Sequence, residues 1–226
     1  MDQNYYFIDG SALLAQIRTL WKKEEIFNWR RLDPLKFINH LQFSFPELGS
    51  ANYKRAEFYF PIGEQNLETY LLLPQRTTPG LVRDVHFKYC GEKLERSTAY
   101  ETWLETVPSQ WKDRCVKSEK GLDIEICCDA LRLASLGKMD RLFFLTNDRD
   151  FIPLCKAIKD FGVNISLIHL SKFTNGNKLL IDECDSYDLL RPEYLDQVFE
   201  PSPENLPKQT EGLEIVTQIS TTSETL

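Results

Sequence analysis

The chain has 226 residues, 42% of them hydrophobic, 12% aromatic and 27% charged, with a formal net charge of −7. That composition belongs to a globular protein and not to a disordered or membrane chain, and the length allows one sizeable core with an appendage. The negative charge argues against a protein that holds nucleic acid through bulk positive charge, but leaves open an enzyme that meets phosphate through bound metal.

No apolar run nears the roughly 18 to 20 residues of a spanning helix, and the opening MDQNYYFIDG lacks the basic and apolar regions of a signal peptide. A cytoplasmic location with no membrane partner is therefore expected. The six cysteines show no C-x-x-C pair and no histidine at zinc-finger spacing, so reduced thiols are expected. Cys127, Cys128 and Cys155 fall in apolar helical patterns. Cys90 and Cys115 flank one loop-like segment and are candidates to meet in space.

YYFID, from Tyr5 to Asp9, reads as a buried first strand ending on an acid, and SALLAQIRTLWKKEE follows at once at helical spacing. This opens a βα unit. Asp33 and Pro34 start a second helix, with Asp33 as N-cap and Pro34 at the first position. AEFYFPI (Ala56 to Ile62) is the next strand, NLETYLLLPQRT a helix, and VRDVHFKYC (Val82 to Cys90) a third strand. Residues 91–120 are polar and without period, a long loop with at most a helical turn around TAYETWLETV. LDIEICCDALRLASLG predicts an amphipathic helix whose apolar stripe is Ile124, Cys127, Cys128, Leu131 and Ala134, ended by Gly137. RLFFLT is a fourth strand buried on both faces, DFIPLCKAIKDFG a helix ending at Gly162, and VNISLIHL a fifth strand. NKLLIDECDSYDLL reads as a last helix on the sheet. The division expected is one domain over 1–195 and a disordered tail over 196–226, rich in Ser, Thr, Pro and Glu. Units in this order imply an α/β fold, three layers with a mostly parallel central sheet of about five strands. Ligands of such sheets bind outside the carboxyl ends of the strands.

Acids gather at those ends. Asp9 closes the first strand, Asp148 and Asp150 follow the fourth in LFFLTNDRDFIPL, and Asp123 stands at the top of the helix after the long loop. Asp129 lies lower on that helix and rotated away, a weaker candidate. Each acid alone also reads as a helix cap. Together, carboxylates without basic partners raise one another's pKa and destabilise a fold unless a cation neutralises them. Oxygen ligands without His or Cys select Mg²⁺ or Mn²⁺, which keep waters and take further ligands from substrate phosphate. The chemistry implied is metal-assisted attack of water on a phosphodiester.

FIDGSALLAQI, VKSEKGLDIEICCDALRLASLGKMDRLFFLTNDRDFIPLCKAIKDFGVNISLI and KLLIDECDSYDLL resemble the NYN domains of the LabA-like group in the PIN-like nuclease superfamily. The family pattern of K, G-V-D-V, D-A-L and S-G-D-S-D-F-x-P-L corresponds here to Lys120, Gly121-Leu122-Asp123-Ile124, Asp129-Ala130-Leu131 and Thr146 through Leu154. The resemblance spans most of residues 4 to 192, matching between Trp21 and Val107 in element order more than in sequence. It implies a PIN-like fold whose acidic pocket binds Mg²⁺ or Mn²⁺ and cleaves RNA, with Asp9, Asp123, Asp148 and Asp150 as the metal-binding acids. Thr146 and Asn147 then line the pocket. The first family motif reads D-G-x-N, and Ala12 stands where its amide belongs, which bears on catalytic efficiency.

Lys117, Lys120, Arg149 and Lys172 are candidates to meet an RNA backbone, and each also reads as a solvated surface charge. Arg149 alternatively holds Asp148 and Asp150 apart by a salt bridge. Trp103 and Trp111 are candidates to stack on unpaired bases or to form a satellite core. His40, His86 and His169 show no ligand spacing. The reading is a metal-dependent ribonuclease acting on RNA with unpaired regions, and the alternative is a weak or inactive module binding RNA or a protein partner. Self-association or a protein partner engaging the tail is compatible with either. An aspartyl phosphatase would need a second Asp at position 11, where Ser11 stands.

Overall fold

The computed structural model describes residues 3–44, 52–62, 64, 67–73, 85–92, 102, 105–108, 121–172, 176–190 and 192–201. Strand β1 (Gln3–Asp9) leads directly into helix α1 (Gly10–Lys23). Strand β2 (Arg31–Leu32), helix α2 (Pro34–Ser44), strand β3 (Asn52–Ile62), the single turn α3 (Leu67–Tyr70) and strand β4 (Val85–Glu92) follow. Then come α4 (Leu122–Ser135), β5 (Arg141–Leu145), α5 (Ile152–Lys159) and β6 (Asn164–His169). The chain continues with α6 (Lys178–Glu183), β7 (Ser186–Leu189), α7 (Pro192–Val198) and β8 (Phe199–Glu200).

Among the described residues six strands form one sheet in the order β4-β3-β1-β5-β6-β7, every neighbouring pair parallel. The α/β architecture read from the sequence holds, with one strand more than the five expected. SYDL was expected to prolong a helix and instead pairs with β6 as the sixth strand. Helix α6 stops at Glu183, and only Leu67–Tyr70 of the helix expected at NLETYLLLPQRT is helical among the described residues.

Alternation along the strands divides the core. Tyr6, Ile8, Phe58, Phe60, Phe143 and Leu145 face the layer containing α1, α2 and α7. Phe7, Tyr59, Leu142, Phe144, Ile165 and Leu167 face α4, α5 and α6. Aromatic pairs tie the central strands, with Tyr6 stacked on Phe143 at 4.6 Å and Phe7 edge-on to Tyr59 at 5.3 Å. On the first face β2 pairs antiparallel with β8, burying Leu32 and Phe199. The packed residues thus run to Glu200. No helix among the described residues is long and apolar enough to cross a membrane.

Local chemistry explains the element starts. Asp33 Oδ1 accepts the Leu35 and Lys36 N–H groups at 2.9 and 3.1 Å, capping α2 as expected. At the start of α1 the helix meets β3 so closely that a Cβ on Gly10 would lie 2.4 Å from the Tyr59 carbonyl oxygen. Only glycine permits that approach.

Helix α4 corrects the sequence reading. Its buried residues are Leu122, Ile126, Asp129, Ala130 and Ala134, whereas Ile124 is 67% exposed and Cys128 and Leu131 are exposed. Both faces carry apolar residues. The expected stripe passed over Asp129 as polar, and so missed that the fold supplies it with partners.

The chain builds outward from β1 to β3 and β4, then returns to β1's other side with β5, β6 and β7. The strand order therefore reverses between β1 and β5. In open parallel sheets a crevice opens at such a reversal, outside the carboxyl ends of the two strands.

Candidate active site

Asp9 sits at that reversal and serves as both strand end and N-cap. Its Oδ1 accepts the N–H groups of Ser11 and Ala12 at 3.0 and 3.2 Å, which begins α1. Its Oδ2 accepts a hydrogen bond from Thr146 Oγ1 at 2.9 Å. Thr146 follows the last residue of β5 and is fully buried, and its Oγ1 in turn accepts the Asp148 N–H at 3.2 Å. One hydroxyl thus joins the two strand-end acids across adjacent strands.

Asp148 turns the chain into its next helix. Its Oδ1 accepts the Asp150 N–H at 2.9 Å, capping a 3-10 turn over Arg149–Phe151 that passes into α5. Phe151 is buried edge-on to Phe144 and anchors this turn to the sheet. Asn147, Asp148, Arg149 and Asp150 are exposed. Asn147 Oδ1 accepts the Asn177 N–H at 2.7 Å, and Asn177 Oδ1 accepts the Leu179 N–H at 3.0 Å. The loop after β5 is in this way tied to the start of α6. Arg149 makes no ion pair with Asp148 or Asp150 among the described residues, so the salt-bridge alternative is not realised there.

His169 was given no role by sequence, yet its Nε2 donates to Thr146 O at 3.0 Å from the carboxyl end of β6. The ring is 1% exposed and packs edge-on to Tyr187. It fixes the carbonyl of the residue whose hydroxyl holds Asp9. The strand-end criterion that found the acids would also have found His169, had it been applied to donors as well as to carboxylates.

Asp123 is exposed in the first turn of α4. This helix begins at Gly121, whose φ of +92° suits glycine, and a Cβ there would lie 3.3 Å from Gly91 Cα near the end of β4. Asp123 thus shares the carboxyl edge of the sheet but enters from the β4 side. Burial, then the Asp123 charge, push the Cys127 thiol up to about 11.

Asp129 has another environment. It accepts hydrogen bonds from Tyr59 Oη at 3.0 Å, Arg132 at 2.9 Å and Lys88 Nζ. Burial works to raise its carboxyl, but the hydrogen bonds from Lys88, Arg132 and Tyr59 prevail and hold it below the ordinary value. This acid is neutralised within the protein. Lys172 is exposed, His40 stacks on Tyr194 at 5.2 Å and His86 is half-buried. Lys117, Lys120, Trp103, Trp111 and Cys115 lie outside the described residues.

Among the described residues no three or more His, Cys, Asp or Glu side chains are grouped so as to hold a metal ion. The donor chemistry of the edge nevertheless fits a hard divalent cation, because every candidate is oxygen and one or two carboxylates suffice when water and phosphate complete the shell.

The NYN domain family model matches residues 65–190, more than half of the chain. Its span includes Asp123, Thr146, Asp148 and Asp150 but begins after Asp9, a shorter stretch than the motifs suggested. The sheet supplies the connection that this match lacks, since β1 pairs directly with β5. No curated protein matches the chain. Among solved structures, a protein of unknown function from Vibrio parahaemolyticus RIMD 2210633 superposes with a TM-score of 0.49 at 13% identity, covering 88% of this chain and 96% of that one.

Proposed function

The chain belongs to the NYN domain family, and on that premise we propose that it is a metal-dependent ribonuclease of the LabA-like group that hydrolyses phosphodiester bonds in unpaired RNA. The family lies in the PIN-like nuclease superfamily, and the α/β sheet of parallel strands agrees with that fold. The observation that carries the reading is the Asp9–Thr146–Asp148 linkage at the reversal of strand order.

In this reading Asp9, Asp123, Asp148 and Asp150 hold Mg²⁺ or Mn²⁺, which supplies activated water and charge neutralisation at the phosphate. Thr146 fixes the direction of one Asp9 oxygen, and the two α1 N–H groups fix the other. Exposed Arg149 would meet the substrate beside the cation that Asp148 and Asp150 would hold. Asn147 holds the loop against α6, and Lys120 and Arg149 offer positive charge to the RNA backbone.

Ala12 favours a second reading, a weak or inactive module that binds RNA. Its N–H serves Asp9 while its methyl packs against the α1 core, so no amide reaches the substrate from this position. A single assay separates the two. Mn²⁺-dependent cleavage of single-stranded RNA that is lost in Asp148→Asn supports the enzyme. RNA retained without any cleavage by the wild-type protein rejects it.

A further inference from the structure

A cleft of about 340 Å³ opens on the α4 face of the sheet and shares no residue with the strand-end acids. Its volume falls in the range of small-molecule sites, roughly 300 to 1,000 Å³. Four cations line it, Arg55, Lys88, Arg132 and Lys138, against two carboxylates, Glu57 and Asp129, an excess of two positive charges. Asp129 already accepts from Lys88, Arg132 and Tyr59, which fixes that side of the wall. Glu57 is different. It is 3% exposed and receives Arg55 at 3.3 Å on Oε1, while its Oε2 is buried and accepts no hydrogen bond among the described residues. A carboxylate oxygen accepts hydrogen bonds, and this one is left without a donor among the described residues.

The remaining lining suits a flat ring. Tyr5 and Phe7 stand two residues apart on β1, their rings edge-to-face at 6.5 Å, with Tyr5 half-buried. Such apolar surface beside a carboxylate acceptor selects a base with adjacent N–H donors. Guanine offers an imino and an amino N–H side by side. Adenine and cytosine set a ring-nitrogen lone pair beside the amino group, and that lone pair faces the carboxylate unfavourably. Exposed Lys138, which also lines the cleft, supplies charge for a phosphate.

We propose that this cleft binds a guanine nucleotide, with Glu57 accepting from the base, Tyr5 against the ring, and Lys138 meeting the phosphate. Reading of the base comes from Glu57, and attraction comes from the excess cations. The site does not depend on the nuclease reading, because it stands on different residues and predicts binding rather than cleavage.

The test is titration calorimetry on the full chain carrying Asp148→Asn, which leaves this cleft intact, with guanosine monophosphate, adenosine monophosphate and inorganic phosphate as separate probes. Guanosine monophosphate is expected to bind about tenfold or more tighter than adenosine monophosphate, the ratio that one well-placed hydrogen bond to a charged group gives. Lys138→Ala, at an exposed position, should weaken both nucleotides by about threefold to tenfold. Glu57→Gln should erase the preference between them, with circular dichroism checking its fold. No heat with either nucleotide, equal affinity for both, or an affinity for phosphate matching that for guanosine monophosphate overturns the proposal. So does unchanged nucleotide affinity in Lys138→Ala, which remains decisive if Glu57→Gln fails to fold.

Discussion

Two aspartate environments in this protein are built from opposite partners. Asp129 is met by an ammonium, a guanidinium and a phenol. Asp148 receives only backbone N–H donation, on an exposed turn, with no ion pair among the described residues, and Asp9 is shown accepting from two N–H groups and one hydroxyl. Neutral donors orient a carboxylate without cancelling its charge, whereas cations cancel it. The fold therefore makes Asp129 structural, and in the proposed function the exposed Asp148 would keep charge to offer a metal.

The largest effects should fall on opposite observables. Asp148→Asn keeps an oxygen that can cap the turn but removes the charge. RNA cleavage should drop by about 100-fold or more, the scale expected when transition-state charge stabilisation is lost, while the thermal midpoint moves little. Asp129→Ala should do the reverse. It leaves Lys88 and the Tyr59 hydroxyl without their acceptor, for a loss of about 2 to 3 kcal/mol in denaturant unfolding, with cleavage per folded molecule unchanged. An Asp129→Ala protein that folds normally but cleaves nothing would break the distinction.

Acid should sharpen it. The Asp129 carboxyl is held below its ordinary 3.8 in the fold, so its network contributes fully above about pH 4 and is lost as pH falls through the folded value. The stability difference between wild type and Asp129→Asn should accordingly shrink on acidification below about pH 4. A difference that stays constant down to pH 2 would show that the cations contribute packing and not charge.

The contrast also explains what was legible in the sequence. β1 and β5 announce themselves as apolar runs that end on Asp9 and Thr146-Asn147-Asp148, and burial on both faces demands such runs. β7 did not, because SYDL is an edge strand with half-buried residues, and its pattern resembles the preceding helix. The two-residue strands β2 and β8 are too short for any period, and only their pairing across the chain defines them. The buried face of α4 was misread because Asp129 was passed over as polar. A charged residue counts as exposed until its partners are known, and Lys88 and Tyr59 come from distant strands. Asp9 and Asp148 could be brought together by sequence only through the assumption that their strands are neighbours. The hydroxyl that joins them follows from a register that no local pattern carries.

That hydroxyl supplies the smallest and finest test. Thr146→Val keeps the shape and burial of the side chain but removes the donor to Asp9 Oδ2 and the acceptor for the Asp148 N–H. Unfolding free energy should fall by about 1 to 2 kcal/mol, since a buried carboxylate oxygen loses one partner. Cleavage should fall further than stability accounts for, by about tenfold in kcat with little change in KM, because Asp9 loses orientation and not charge. Thr146→Ser restores both hydrogen bonds and should restore the rate. If Thr146→Val instead cleaves at the wild-type rate, the link between the two acids is a turn-forming contact alone. The strand-end acids would then differ from Asp129 in charge but not in preparation for chemistry.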